Sequence, residues 1–401
     1  MRPHRPPAGA SALRAVRSLL VALGLAACQQ TPERPPPPTP IEPPTVAHSA
    51  SPTGVPLPAP SPTPLPPASA QASATAPTGA RPDPSSVPRG IDMHCDTPYQ
   101  VRTKGRSLTL DGGHITPDTL RRGHVGGVFL VIYIADTLHD GHPTIADADA
   151  IYETLDQIVA RHPDVLWPST RGPTPDGKVT AYASIEGAGA FADDIKQIDR
   201  FIDRGVRLVG PVHMHNNRLA TSSTDKHTGG LTDLGKEFCE RVYRKGALVD
   251  VSHLSDEGFQ DVVLLARRFR APIVATHSNA RALVDHPRNL TDDQLRAIAA
   301  SGGVAGVNFY NGYLRIGAEA TLADAVKQAM HMVKVAGADH VGIGSDFDGG
   351  TPPKDLADAS YLPAFARALE EAGLSREDIH KVFSENVKRV LAWKPPKDPE
   401  R

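Results

Sequence analysis

His94 and Asp96 stand two residues apart at the end of the apolar run that begins at Ile91. In a β-strand, residues i and i+2 leave the same face, so this imidazole and carboxylate would be aimed at one point. Such a pair can be a metal half-site, a supporting hydrogen-bonded pair or a catalytic dyad. Later apolar runs end in the same residue types. Ala183-Ser184-Ile185 leads to Glu186, Gly210-Pro211-Val212 to His213, and Asp250-Val251-Ser252 to His253. Ala275-Thr276 leads to His277, and Gly344-Ser345 to Asp346 and Asp348. Imidazoles and carboxylates without a thiolate pair suit zinc. Even three histidines and two acidic residues, a subset of those at the run ends, exceed the needs of one catalytic zinc that keeps an open position. They suit two ions sharing a carboxylate, ~3.5–4 Å apart, that activate a water and polarise a carbonyl. A general acid for the leaving amine and a cation for any substrate anion must then come from elsewhere.

These residues need elements that bring run ends together. Apolar, β-branched runs occupy 90–95, 126–134, 180–186, 206–213, 247–253, 272–277, 303–309 and 340–346. Helical patterns lie between them, clearest at 145–161, 232–245, 255–269, 319–336 and 376–392; Leu234, Phe238 and Val242 share one helix face. Asp324, Glu257 and Asp378 fall toward helix starts, where the helix dipole favours anions. Strands alternating with helices predict a parallel sheet. No Gly-x-Gly-x-x-Gly turn opens the first helix, which leaves a dinucleotide site unsupported. The expectation is a closed (β/α)8 TIM barrel, in which all strand C-termini meet at one rim. Cys95 then points away from His94 and Asp96 and packs inside, as does Cys239 beside Phe238 in its helix.

Ahead of this domain, residues 1–27 read as a targeting segment. Arg2, Arg5, Arg14 and Arg17 precede the apolar stretch Leu19 to Leu25, too short for a bilayer span of ~20 residues. The stretch ends in Leu25-Ala26-Ala27-Cys28, which resembles the lipobox of bacterial lipoproteins, so Cys28 is the expected lipidation site. Gln29 after it favours the outer membrane of the cell envelope. Residues 28–88 form a Pro-, Ala-, Ser- and Thr-rich tether with no hydrophobic period, expected to stay disordered and extended. The barrel domain is assigned to 89–396 and a tail to 397–401. A net charge of −2 gives no reason to invoke nucleic acid.

The motifs His94-x-Asp96, Glu186-Gly187, Val251-Ser252-His253, Thr276-His277-Ser278-Asn279-Ala280-Arg281, Arg288-Asn289 and Ser345-Asp346-Phe347-Asp348-Gly349 follow in one order. Together they resemble the membrane dipeptidase (renal dipeptidase) family, zinc peptidases on a metal-dependent-hydrolase barrel. The resemblance spans about 89–393. It implies one zinc on His94 and Asp96, another on His253 and His277, and Glu186 bridging the two. It also implies that His213 contacts the scissile carbonyl, Arg288 binds the carboxylate of a dipeptide substrate, and Asp346 handles the proton. A homodimer is compatible with the same resemblance. Gly210-Pro211-Val212 departs from the family's usual run, and His215 could compete with His213. Asp348 is expected to support or turn the chain, and Arg281 to cap or pair at the surface. His114, His124, His139, His142, His227 and His286 are expected in loops. A related amidohydrolase acting on lactams, lactones or N-acyl amino acids is the nearest alternative. An envelope-binding lipoprotein without catalysis is the other, but it would be marked by a lost ligand.

Overall fold

The computed structural model describes residues 87–399, so the signal segment, Cys28 and nearly all of the tether lie outside the described residues. Nine strands form one parallel system: β1 (Gly90–Cys95), β2 (Val125–Tyr133), β3 (Leu166–Pro168), β4 (Val179–Glu186), β5 (Val206–Gly210), β6 (Leu248–Val249), β7 (Val274–Ala275), β8 (Val304–Val307) and β9 (Val341–Ile343). Eight run in the order β6-β5-β4-β2-β1-β9-β8-β7, and β3 adds outside by pairing with the first half of β4. The sheet closes on itself. Asp250, just past β6, makes a parallel bridge to Val274, and the Val251 N–H donates to the Val274 carbonyl at 2.8 Å. The expected (β/α)8 barrel is the observed fold, with β3 an addition the apolar pattern did not signal.

Several strands are shorter than their apolar runs, for identifiable reasons. β5 stops at Gly210 rather than reaching His213 because Pro211 has no N–H to continue the ladder. β6 and β7 stop early because a side chain takes their next backbone donors: Asp250 Oδ1 accepts the N–H groups of Ser252 at 3.0 Å and Thr276 at 2.9 Å. Asp92 Oδ1 does the same for His94, at 3.2 Å, and Ser345, at 2.9 Å. Backbone groups leaving the sheet are thus satisfied inside the rim, not by water.

The helices form where expected and carry their own start signals. Ile145–Arg161 and Leu322–Ala336 begin in reciprocal caps, Thr144 with Asp147 and Thr321 with Asp324. Asp233–Arg244 and Asp256–Phe269 begin after Thr232 and Ser255, whose hydroxyls accept the Gly235 and Gly258 N–H groups. The expected helix at 376–392 is interrupted: Arg376–His380 and Asn386–Leu391 flank a π-turn, Lys381–Glu385. Val382, Phe383 and Val387 are all buried there, and Asn386 Nδ2 donates to the Ala338 and Val341 carbonyls. No helix among the described residues is long and apolar enough to cross a membrane.

The last strands approach so closely that Gly344 has no room for a side chain: a Cβ there would collide with the Thr276 carbonyl. Because the obstacle is backbone, it cannot rotate away. Gly344→Ala should therefore cost about 1–3 kcal/mol by overpacking. Thermal unfolding checks this, with a drop on the order of 5 °C expected and an unchanged midpoint contradicting it.

Candidate metal centre

Glu186 ends β4, and its buried carboxylate faces imidazoles from across the rim. Oε1 lies 3.0 Å from His253 Nε2 and 3.4 Å from His277 Nε2; Oε2 lies 3.5 Å from His94 Nε2. His94 Nε2 is 3.5 Å from Asp96 Oδ2, and the His253 and His277 Nε2 atoms are 3.1 Å apart. The expected five residues are thus gathered at one place. Two overlapping groups can each hold an ion: His94, Asp96 and Glu186, and Glu186, His213 and His253. A third, His94 with Asp250 and His277, also lies within reach, but the Asp250 oxygens are already taken by the Ser252 and Thr276 donors.

Donor atoms ~2.0–2.1 Å from a tetrahedral zinc stand ~3.3–3.4 Å from one another. The nitrogen–oxygen and nitrogen–nitrogen separations here, 3.0 to 3.5 Å, match that spacing. Among the described residues, buried His94 Nε2, Asp96 Oδ1, Glu186 Oε1 and His253 Nδ1 have no hydrogen-bond partner, which a purely structural polar cluster would have supplied. The donor set therefore fits divalent metal ions.

The electrostatics point the same way. Burial works against charge on His94, yet Glu186 and Asp96 outweigh it and hold the imidazole well above its usual value. Burial likewise opposes charge on Glu186, but His94, His213 and His253 hold its carboxyl well below the usual range. His253 and His277 are pushed well down, by burial first; Arg288 adds to the effect on both, with His213 beside His253 and His94 beside His277. Asp346 is raised to about 7 by burial, with Asp96 and Glu186 adding to the shift against His94 and an Asn308 hydrogen bond. The cluster draws positive charge.

The remaining expected residues surround this cluster. His213 lies three residues beyond β5, its Nε2 4.0 Å from Glu186 Oε2 and its Nδ1 3.7 Å from Asp136 Oδ2. His215 is exposed, and only its backbone N–H meets Asp136. Asp346 follows β9 in the left-handed region at φ 63° and accepts from Asn308 Nδ2 at 3.1 Å. A Cβ on Gly349 would collide with the Asp96 and Asp346 carboxylates, so glycine lets that turn close over the site. Arg288 is buried, donates to the Ser278 hydroxyl and the His277 carbonyl, and lies over the Tyr313 ring. Among the described residues it has no carboxylate partner. The cluster opens onto a cavity of about 390 Å³, walled in part by Tyr99, Tyr133, Tyr310 and Tyr313. A larger cavity, about 500 Å³, lies along β3 and helix Ile145–Arg161 and contains none of these residues.

Outside the cluster, Asp348 is a buried anchor, accepting from Thr97, Arg106 and the His114 N–H. His114 is no free loop histidine, since its Nδ1 accepts the Asp348 N–H. Arg281 pairs with Asp256, and Cys95 is buried, with its thiol donating to Asp92. Sequence reasoning missed Asp92, Asp136, Asn308 and the roles of Asp250 and Thr276. Asp250 stands near the end of an apolar run and Asp92 interrupts one, both weak signals; Asp136 and Asn308 gave none.

The membrane dipeptidase family, peptidase family M19, matches residues 88–394, and the chain belongs to it. It is a metal-dependent peptidase of that family. An uncharacterized dipeptidase of Schizosaccharomyces pombe is 32% identical over 335 residues, 77% of this chain and 81% of the relative. Among solved structures, a metallopeptidase from Rhodobacter sphaeroides liganded with a phosphinate mimic of L-Ala-D-Ala is 30% identical. It superposes with a TM-score of 0.68 over 76% of this chain and 99% of its own. The probable dipeptidase PvdM from Pseudomonas aeruginosa is 27% identical, with a TM-score of 0.69 over 77% of this chain and 96% of its own.

The raised Asp346 gives a pH test in chelator-treated protein. Its folded value of about 7 lies above the ordinary carboxylate value of 3.8. The stability it contributes is therefore complete below pH ~4 and lost as pH rises through ~7. Between about pH 5 and about pH 8 the metal-free wild type should lose more thermal stability than Asp346→Asn. Parallel melting profiles for the two proteins would contradict the assignment.

Proposed function

We propose that this chain is a binuclear zinc dipeptidase displayed at the bacterial cell envelope. The observation that carries the reading is the convergence of three imidazole Nε2 atoms on the single buried carboxylate of Glu186. His94 and Asp96 would hold one ion, His253 and His277 the other, and Glu186 would bridge them. Zinc bound there supplies Lewis acidity, polarising a carbonyl and making water acidic enough to attack at neutral pH.

The chain's own residues divide the remaining work. Arg288 pairs with the C-terminal carboxylate of the substrate in the forked geometry of a guanidinium. It donates to the carbonyl of His277, beside a proposed ligand, and if it holds that carboxylate only one residue would fit between this anchor and the metals. His213, backed by Asp136, donates from Nε2 to the scissile carbonyl oxygen. Asp346 takes a proton from the attacking water and delivers it to the departing amine as the C–N bond breaks. Burial holds this carboxyl near neutrality, where one group can serve as base and then acid. The bound L-Ala-D-Ala mimic in the Rhodobacter sphaeroides relative makes that dipeptide the first substrate to assay.

Active protein should contain two equivalents of zinc per chain; at most one in fully active, unchelated protein would sink the binuclear reading. Dipeptides should be hydrolysed, and their C-terminal amides and tripeptides poorly. Equal kcat/KM for a dipeptide and its amide would remove Arg288 from its role. Asp346→Asn should keep its zinc while kcat falls ~10²–10⁴-fold. Loss of a zinc equivalent would instead make Asp346 a ligand.

The location rests on the sequence ahead of the domain. Basic residues, a short apolar stretch, Leu25-Ala26-Ala27-Cys28 and a Pro-rich tether support export and lipid anchoring at Cys28, with Gln29 favouring the outer membrane. Cys28→Ser should move activity from the membrane fraction to the soluble fraction without changing kcat. Native protein without lipid mass on Cys28 would exclude the anchor.

A further inference from the structure

Thr276 sits between β7 and His277 and is fully buried. Four polar atoms surround its hydroxyl oxygen. Asp250 Oδ2 lies at 2.5 Å, His277 Nδ1 at 2.8 Å, His94 Nδ1 at 3.3 Å and Ser252 Oγ at 3.4 Å. A hydroxyl has one hydrogen and two lone pairs. Asp250 Oδ1 already accepts the Ser252 and Thr276 N–H groups, leaving Oδ2 to face the hydroxyl. A carboxylate only accepts, so the Thr276 hydrogen goes to Oδ2, its nearest neighbour. Only lone pairs remain for the two imidazoles. Each ring must then approach as an Nδ1–H donor.

A neutral imidazole with its hydrogen on Nδ1 carries its lone pair on Nε2. On both rings Nε2 is the atom facing Glu186, at 3.5 Å for His94 and 3.4 Å for His277. We propose that Thr276, held by Asp250, is a positioning residue that fixes the metal-binding tautomer of one histidine in each half-site. One side chain thereby prepares both halves of the centre. His253 has no such support, since its buried Nδ1 lacks a partner among the described residues. The proposal rests on the binuclear reading for its metal consequences, but the tautomers themselves are a property of the protein without metal.

Three variants of the full chain test it. Thr276→Val keeps the shape and removes the hydroxyl; Thr276→Ser keeps the hydroxyl. Asp250→Asn should keep its oxygen on the two backbone N–H groups and turn its amide N–H toward Thr276. The hydroxyl must then accept from Asn and donate to the nearest ring nitrogen, His277 Nδ1. That forces the His277 hydrogen onto Nε2, the atom meant for metal. Zinc affinity is read by chelator competition, and tautomers by ¹⁵N NMR of metal-free, histidine-labelled protein. Thr276→Val should weaken both zinc equivalents ~10–100-fold, and Thr276→Ser should restore them. Asp250→Asn should weaken one equivalent selectively. At a pH high enough to leave both rings neutral, metal-free wild-type protein should show Nδ1–H on His94 and His277. Two zinc equivalents bound by Thr276→Val at wild-type affinity would overturn the proposal, as would Nε2–H on either ring of wild type once that ring is neutral. A wild type that binds fewer than two zinc ions overturns the binuclear reading instead, and the NMR arm still decides the tautomers.

Discussion

A carboxylate buried among other carboxylates must be met by positive charge, and at Glu186 that requirement organises the rim of the barrel. Removing such a charge from water is costly unless partners compensate. Asp96 and Asp346 crowd the same space, and burial raises both. The compensation comes from histidines carried by β1 and by the turns after β6 and β7, in a ring where β1 and β7 are separated by β8 and β9. The His94 and His277 rings nevertheless meet with centroids 3.7 Å apart. Only a closed parallel sheet, whose strands all end at one mouth, brings such distant positions into contact. The charge problem and the fold are therefore one problem.

Asp92 and Asp250 show how the rim is built. Each accepts two backbone N–H groups, one from the residue two ahead and one from another strand's end. These carboxylates take over where the ladder stops, so the chain can leave the sheet without stranding buried donors. Asp250 also makes the bridge that closes the barrel, so closure and support of the site share a residue. Beyond these ends the backbone turns sharply: His253, Asp346 and Asp348 occupy the left-handed region at φ 71°, 63° and 66°. Non-glycine residues there carry strain that surrounding structure must hold in place. Asp348, for example, is pinned through its side chain by Thr97, Arg106 and the His114 N–H.

What was legible in the sequence follows from these features. Apolar runs alternating with helical patterns gave the barrel, and their polar ends gave the cluster, because both depend on periodicity and residue type. Strand lengths were not legible. The ladder ends where Pro211 lacks a donor or where an aspartate intercepts one, and a hydrophobic run continues past both. β3 was hidden because three residues, Leu166–Pro168, make too short a pattern. The π-turn at Lys381–Glu385 was hidden because its residues fit a helix in composition and differ only in spacing against the core. Supporting residues were the least visible. Thr276 has the composition of an ordinary strand-end threonine, and only the convergence of Asp250, His277 and His94 gives it a role.

Arg106 and Arg288 mark the limit of residue type as evidence. Both are arginines in irregular segments, and both have buried polar atoms. Arg106 has its carboxylate, with Asp348 Oδ2 at 2.7 Å and backbone carbonyls on its other nitrogen. Its fork is spent on holding the turn after β9. Arg288 is 3% exposed; among the described residues its guanidinium donates only to the Ser278 hydroxyl and the His277 carbonyl and lies over the Tyr313 face, while its Nε has no partner. A buried guanidinium without a carboxylate is costly unless its charge is used. Here its field already acts on the site, pushing His253 and His277 toward the neutral form that ligates metal. An incoming carboxylate would complete its fork and supply the missing counter-charge. On the proposed reading, the same cation would serve the ligands before the substrate arrives and the substrate once it is bound.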